Sequence, residues 1–508
     1  MADVPARRLY ALTFVGGAAS LGGEIAAARL LAPWFGDSTL IWANTIGVVL
    51  VALSVGYWLG GRMADRDPQL RRLALIILAA AAVFALLPFV ARPFLRVSVD
   101  ALSSVSAGAF VGSLVAVLVL LAVPMLLLGM ISPFVVKLAI RTVDEAGKVT
   151  GRLYAVSTLG SLAGTFLSSL LLIPFLGTRR TFLIFALALA LVATVSLGRR
   201  FAPAPILIAV LLALPVGTVK AVTDGRVIWE KETLYQYAVV IERDDGQRRL
   251  ELNEGQAVHS IYTPGQWTTG NYWDEFLTLP FAARAGGDEG TPPRSVAILG
   301  NAAGTVARQY GHYFPDTRVD GVEIDGQLNK IAGTLFDLNK RDAPNVHLHT
   351  ADGRPWLRAQ TRRYDAIFVD AYRQPYVPFH LATREFFQSV KDHLNPGGVV
   401  LVNIGHPERS HALEEVLTAT MADVFSTVVR DPSQRVNTIA MAGDGQISPA
   451  ALGAAIPRLP QDLRPIAAET AARIAPRLPG GRVYTDDVAP VEWLIDASIV
   501  QVAASGER

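Results

Sequence analysis

Three carboxylates, Glu323, Asp352 and Asp370, fall at or just beyond the ends of predicted strands, and a small-residue turn, Gly300-Asn-Ala-Ala-Gly-Thr305, follows another such strand. Val296-Ala-Ile-Leu leads into that turn, and Val322-Glu323-Ile324-Asp325 follows about twenty residues later. A turn without bulky side chains lets a ligand approach the backbone. An acid ending the next strand accepts both hydroxyls of a ribose. The set therefore reads as a nucleoside site, with Asp370 as a candidate general base. Each acid also has a plain alternative. Glu323 could be a solvated strand end, and Asp352, ahead of Arg354-Pro355, a helix N-cap. A turn and three acids converging at one sheet edge favour the site.

The elements that position them are strand–helix repeats. Strands are expected near 295–299, 318–323, 345–349, 365–370 and 397–403, with helices between. This predicts a doubly wound parallel sheet of Rossmann-like, methyltransferase type, whose ligand crevice lies at the carboxyl ends of the strands. Ahead of it, residues 224–260 alternate in strand fashion around Asp244-Asp245-Gly246, a strong hairpin turn, and read as a small antiparallel lid. His259 and His380 read as packing or loop residues. Residues 451–482 are rich in Ala, Pro and Arg and read as a short peripheral helix with loops.

The first 220 residues differ in kind. The chain is 51% hydrophobic and only 18% charged, and the apolar excess is concentrated there. Seven segments, near 10–32, 40–61, 73–95, 112–138, 152–175, 181–198 and 203–220, approach the roughly 20 residues a membrane span needs. Small residues at Gly16-Gly17-Ala18-Ala19-Ser20 and Gly160-Ser161-Leu162-Ala163-Gly164 predict close helix packing. Arg7-Arg8, the loop with Arg62, Arg66, Arg71 and Arg72, and the loop with Lys137, Arg141, Lys148 and Arg152 mark the cytoplasmic side. Seven spans would carry the remainder outside, whereas a nucleoside-binding domain belongs in the cytoplasm; cytoplasmic placement, in the cell (inner) membrane, is the expectation. Glu24 and Arg29 lie inside the first span, where ionisable groups are costly. They read as a mutual pair, as partners of Asp37, or as part of a substrate path. The expected organisation is a transmembrane helical domain over 1–220, the lid over 221–290, the nucleoside-binding domain over 291–445 and a peripheral segment over 446–508. The net charge of +2 and the lack of a basic patch speak against nucleic acid. With no cysteine, disulfides, thiolate zinc sites and cysteine nucleophiles are excluded; no metal site is read from the sequence.

In these motifs the chain resembles the spermidine synthase (aminopropyltransferase) family in its membrane-fused form, over about 225–405. The matching residues are Tyr235-Gln236, where Gln236 stands at the nucleoside contact; Tyr272-Trp273-Asp274 followed by Leu279-Pro280; the loop opening at Gly300; Glu323 at the ribose acid; Asp352-Gly353 at the adenine contact; and Tyr364-Asp-Ala-Ile-Phe-Val-Asp370, which ends in the catalytic Asp. Three departures fall on the side that holds the aminopropyl chain and acceptor. The loop's Asp is Ala303, the second Asp of the family's Asp-Ser-Ser-Asp is Arg373, and a Gln is Trp273. Tyr376 is expected to line the acceptor side, and Asp486 or Asp487 to fold back and restore the missing negative charge. The resemblance implies a transferase in polyamine metabolism that uses S-adenosylmethionine or its decarboxylated form as substrate, has no permanently bound cofactor, releases 5′-methylthioadenosine, contacts membrane lipid and pairs as a homodimer. Arg373 suits the carboxylate of intact S-adenosylmethionine. That leaves open a lyase or cyclising enzyme with no acceptor, and, from Glu24 and Arg29, a transporter whose soluble domain senses nucleoside or polyamine.

Overall fold

The structure is a computed structural model. It describes residues 5–35, 39–102, 108–140, 142–214, 224–253, 258–283, 290–338, 341, 343–372, 377–408 and 410–495. The chain forms two compact units, the first of residues 1–221 with 230–237, the second of 222–229 with 238–508.

The first unit is helical: α1 (Ala6–Phe35), α2 (Thr39–Arg66), α3 (Leu70–Leu102), α4 (Gly108–Gly129), α5 (Ile131–Ala139), α6 (Ala146–Phe166) running through a π-helical stretch (Leu167–Leu172) into α7 (Ile173–Leu176), then α8 (Thr178–Leu197) and α9 (Pro203–Ala213). Six helical segments among the described residues are long and apolar enough to cross a membrane, one fewer than expected. The seventh expected segment gives only α9, 11 residues or about 16 Å; residues 215–220 lie outside the described ones.

Glycine makes the closest packing. A Cβ on Gly160 would lie 2.1 Å from the Phe14 carbonyl oxygen, and one on Gly164 would lie 2.1 Å from that of Ala18. Ser168, in the π-helical turn, donates to the Gly22 carbonyl at 3.1 Å. Residue numbers rise together along these contacts, so α1 and α6 run parallel. Glu24 and Arg29 do not face one another as the sequence suggested: five residues along a helix turn the side chains through about 140°. Arg29 donates instead to the Leu234 carbonyl. Glu232 accepts from Thr178 N at 2.8 Å and from its hydroxyl, satisfying the first turn of α8. Burial raises the Glu232 carboxyl, while the Thr178 hydrogen bonds and the Arg29 charge oppose that rise. Asp37 lies outside the described residues.

After the helices the chain forms a four-stranded sheet in sequence order, β1 (Arg226–Glu232), β2 (Tyr237–Glu242), β3 (Arg248–Leu252) and β4 (Val258–Tyr262). The Asp244-Asp245-Gly246 turn joins β2 to β3, closed by Arg243 N donating to Gln247 O. The main sheet contains β5 (Ser295–Leu299), β6 (Arg318–Glu323), β7 (Val346–Thr350), β8 (Tyr364–Val369), β9 (Leu394–Gly405), β10 (Thr427–Gln434), β11 (Asn437–Gly443) and β12 (Ala475–Pro476). Their order is β12-β10-β11-β9-β8-β5-β6-β7. Strands β5 to β9 pair in parallel, as expected. The sheet is nonetheless mixed, because β11 adds antiparallel to β9, and β10 and β12 follow it.

The connections are α10 (Thr305–Tyr313), α11 (Gly326–Leu335), α12 (Gly353–Arg358), α13 (Arg384–Asp392) and α14 (Ala412–Ala422); α15 (Pro449–Ala455) and α16 (Leu463–Arg473) follow. These last two are not peripheral. Leu452, Leu459, Leu463 and Ala467 are buried in the same apolar cluster as Phe276 and Phe368 on one sheet face. The strand order reverses between β5 and β8, and a crevice opens at such a switch point.

Candidate active site

Gly300 follows β5 at that switch point with φ +93°, and a Cβ there would lie 2.6 Å from Ala371 N and Asp370 O. Only glycine fits. The turn continues through Ala302, also at positive φ, to Gly304, the left-handed residue before α10. Asp370 follows the last residue of β8, its backbone N donating to the Leu299 carbonyl at 2.9 Å. Two neighbouring parallel strands thus deliver the turn and the candidate base to one place.

The Asp370 carboxylate has three donors in reach. Asn403 Nδ2, from β9, is 2.8 Å from Oδ1; Trp273 Nε1 is 3.2 Å from Oδ2; and the Tyr272 hydroxyl is 3.3–3.4 Å from both oxygens. Burial pushes this carboxyl up to about 7, and the hydrogen bonds from Asn403, Trp273 and Tyr272 oppose the rise. Burial, with the nearby Asp370 charge, holds the Tyr272 phenol well above its ordinary range, so it stays a donor.

Glu323 ends β6 and is buried. Its Oε2 accepts from Ala302 N at 2.8 Å and its Oε1 from Asp325 N at 2.9 Å. Burial raises it to about 7 despite those backbone donors. Each oxygen keeps a second lone pair for a ligand hydroxyl. Asp352 is the N-cap of α12, its Oδ1 accepting from Arg354 N at 3.0 Å, while Oδ2 stands 3.7 Å from His380 Nε2. Gly353 packs its backbone against Leu299, whose Cβ would be 3.3 Å from an added Cβ. The turn, Glu323, Asp352–Gly353 and Asp370 therefore all lie at the carboxyl edge of one parallel sheet.

Asp274 and Asp486 are engaged elsewhere. Asp274 does not face Asp370. Its buried carboxylate takes both Thr269 N and Oγ1, Gly270 N and Gln309 Nε2 at 2.6 Å, so it knots a loop. Ala303 is fully buried in an apolar cluster with Leu328, Ile331 and Phe336, where a carboxylate would be stranded. Asp486 does not restore charge beside Asp370. It forms a two-pronged ion pair with Arg354, at 2.6–2.8 Å, and accepts from the Thr383 hydroxyl. Asp487 is exposed. Gln236 is buried in the 230–237 segment of the first unit, its backbone N donating to the Thr233 hydroxyl. Glu24 is half-buried on α1. Arg373 and Tyr376 lie outside the described residues. Asn403 was missed by sequence reasoning: it sits on β9 among apolar residues, and only the β8–β9 pairing brings it to Asp370.

Residues 283–440 match the spermine/spermidine synthase domain. A probable polyamine aminopropyl transferase of Bifidobacterium longum is 36% identical over 203 residues, 40% of this chain and 43% of its own length. The chain thus spans under half of that relative. Polyamine aminopropyltransferase 2 of Ralstonia nicotianae is 25% identical over 427 residues, covering 78% of this chain and 79% of its own. That match is longer than the whole stretch 222–508, so it reaches into the helical half. A probable spermidine synthase of Corynebacterium glutamicum superposes with a TM-score of 0.40 at 21% identity, covering 53% of this chain and 99% of its own.

Proposed function

We propose, on the premise that residues 283–440 are a spermine/spermidine synthase domain, that this is a membrane-anchored transferase of the aminopropyltransferase type. It would take decarboxylated S-adenosylmethionine or S-adenosylmethionine as substrate, with no permanently bound cofactor, and release 5′-methylthioadenosine. The observation that carries the proposal is Asp370, a buried carboxyl poised at about 7 at the switch point and held by Asn403, Trp273 and Tyr272. The acceptor's neutral nitrogen attacks the methylene beside the sulfonium. A C–N bond forms as the C–S bond breaks, sulfur leaves as the neutral thioether of methylthioadenosine, and the nitrogen's proton passes to Asp370. The leaving group is already activated, so orientation and proton removal are the protein's tasks. A base near the working pH suits the second task. The free lone pairs of Glu323 suit the ribose, and Asp352–Gly353 suits the adenine.

A second reading, S-adenosylmethionine cleavage without an acceptor, is favoured by Trp273, which puts an indole beside Asp370 where an amine-binding side would need polar groups. The transporter reading loses part of its motive, since Arg29 is engaged by Leu234. The six long apolar helices support membrane anchoring. The cytoplasmic placement of the soluble half is part of the proposal; within the first unit, the 230–237 segment packs at Arg29 and Thr178, about 33 Å along α1 from Arg7. A homodimer and contact with membrane lipid belong to the same proposal.

The test is methylthioadenosine release by the detergent-purified full chain, given S-adenosylmethionine or its decarboxylated form, each with and without putrescine, cadaverine or spermidine. Release that needs both the decarboxylated form and an amine supports the transferase. Release from S-adenosylmethionine alone replaces it with the lyase. No release while nucleoside still binds overturns both.

A further inference from the structure

Beyond Asp370, the carboxyl end of β9 carries a second set of converging donors that the reaction above does not use. His406 directly follows the strand and is buried. His411 stands just before α14, and Glu414, fully buried, lies in its first turn. His411 Nδ1 is 3.1 Å and His406 Nε2 4.0 Å from the same oxygen, Glu414 Oε2, and the three donor atoms lie within 4.8 Å of one another.

We propose that His406, His411 and Glu414 form a zinc(II) site. Zinc–nitrogen and zinc–oxygen bonds of about 2.0–2.2 Å in a tetrahedron put ligand atoms roughly 3.3 Å apart, so the spacing needs only small side-chain rotations. Two imidazoles and one carboxylate are a donor set for zinc rather than for calcium or magnesium, which take oxygen. The surroundings orient the ligands as metal sites require. His406 Nδ1 is 3.0 Å from the Pro407 carbonyl, which fixes the proton there and leaves Nε2 with a lone pair facing Glu414. Arg430 occupies the other carboxylate oxygen, Oε1, at 2.9 Å and leaves Oε2 toward the histidines. Thr438 Oγ1 reaches both His406 Nε2, at 3.3 Å, and Glu414 Oε2, at 3.2 Å. The His411 side chain is 44% exposed and gives an ion a way in, with a fourth position open to water. In the metal-free chain the His411–Glu414 contact is a hydrogen bond, and zinc would bind the His411 tautomer that carries its proton on Nε2 and leaves the Nδ1 lone pair free. Three residues before His406, Asn403 holds Asp370, so the ion would fasten the strand end that positions the base.

The test uses the full-length protein in detergent, purified without a histidine tag and stripped by chelator. It is titrated with Zn²⁺ against a chromogenic chelator and, in parallel, with Co²⁺ followed by visible absorption. One zinc per chain and the ligand-field bands of tetrahedral cobalt are expected. His406→Gln and His411→Ala should each weaken zinc binding about 10- to 100-fold. His349→Gln, at a histidine paired with Asp320 elsewhere on the sheet, should leave it unchanged. Melting curves identify variants that have unfolded, and His411, exposed, is the one whose loss spares the fold. Well under one equivalent bound by folded wild-type protein overturns the site. So does undiminished binding by folded His411→Ala, which would mean adventitious binding elsewhere.

Discussion

Trp273 Nε1 donates to Asp370 Oδ2 at 3.2 Å, so an indole takes a place in the immediate shell of the candidate base. The bond favours the charged carboxylate and partly offsets the burial that raises it to about 7. Trp273→Phe removes that donor and keeps most of the ring's packing. Because a hydrogen bond to a charged group contributes about 1.5–3 kcal/mol, the acid limb of the pH–rate profile should move up by about one pH unit or more. An unmoved limb with normal turnover would show that Asp370 is not the group titrating in the reaction.

Asp370 also makes stability depend on pH. Its folded value, about 7, lies above the ordinary 3.8 of an aspartate. Its contribution is therefore present in full below about pH 4 and is lost as pH rises through 7. Asp370→Asn abolishes that titration. Melting temperatures of variant and wild type should thus shift in the variant's favour as pH rises from 5 to about 7 and hold a constant offset above that, whatever their offset at pH 5. The same variant should lose turnover by a factor of about 1,000 while still binding nucleoside. Parallel melting profiles would place the carboxyl at an ordinary value.

Asp274 gathers two backbone N–H groups, a hydroxyl and the Gln309 amide around one buried carboxylate. Asp274→Ala strands those donors and should destabilise the protein by about 3 kcal/mol, seen as a lower melting temperature. Asp274→Asn should cost less, since one acceptor oxygen remains. Lost activity at an unchanged melting temperature would return Asp274 to the acceptor side, where its sequence motif suggested it belongs.

What the sequence disclosed follows from locality. Strand β5 and the Ala366–Val369 stretch of β8 are apolar runs because a parallel sheet is buried on both faces, and Gly300 and Asp370 directly follow them, while Glu323 closes the mixed β6. Strand β10 was hidden because Thr427–Gln434 contains Pro432, which breaks the pairing register between Asp431 and Gln434. Helices α15 and α16 bury Leu452 and Leu463 among Ala, Pro and Arg, too sparse a stripe to announce a core face. The partners of Asp370 come from 33 and 97 residues away, Asn403 and Trp273, and the ladder that joins them leaves no local pattern. Asp274 misled because its motif position is shared with Tyr272, which does reach Asp370.

The chain's path through the helical unit can be read by labelling, since the protein has no cysteine of its own. Contacts pair Phe14 with Gly160, Gly22 with Ser168 and Phe185, and Arg29 with the segment that caps Thr178. Arg71 and Tyr235 therefore mark opposite ends of the unit. Single cysteines at these two positions should react with a membrane-impermeant maleimide from opposite faces, with position 71 protected in intact cells. Labelling of both from one face would mean that α9 does not lead the chain back along α8.

Arg373 stands three residues after Asp370, where the aminopropyltransferase pattern has a second acid. A guanidinium repels an ammonium and grips a carboxylate through two parallel hydrogen bonds, so it favours a substrate that keeps its carboxylate. If Arg373 holds the carboxylate of S-adenosylmethionine, Arg373→Ala should raise KM for that substrate about 10- to 100-fold and leave the decarboxylated form nearly unaffected. Arg373→Asp should go further, losing S-adenosylmethionine and gaining amine-dependent turnover with the decarboxylated form, because the new carboxylate can hold an ammonium. The comparison is internal to one protein and is read as a ratio of kcat/KM values, which cancels differences in yield or fold. Equal losses on both substrates would make Arg373 a structural cation. No loss on S-adenosylmethionine and no gain with an amine would remove the carboxylate role altogether.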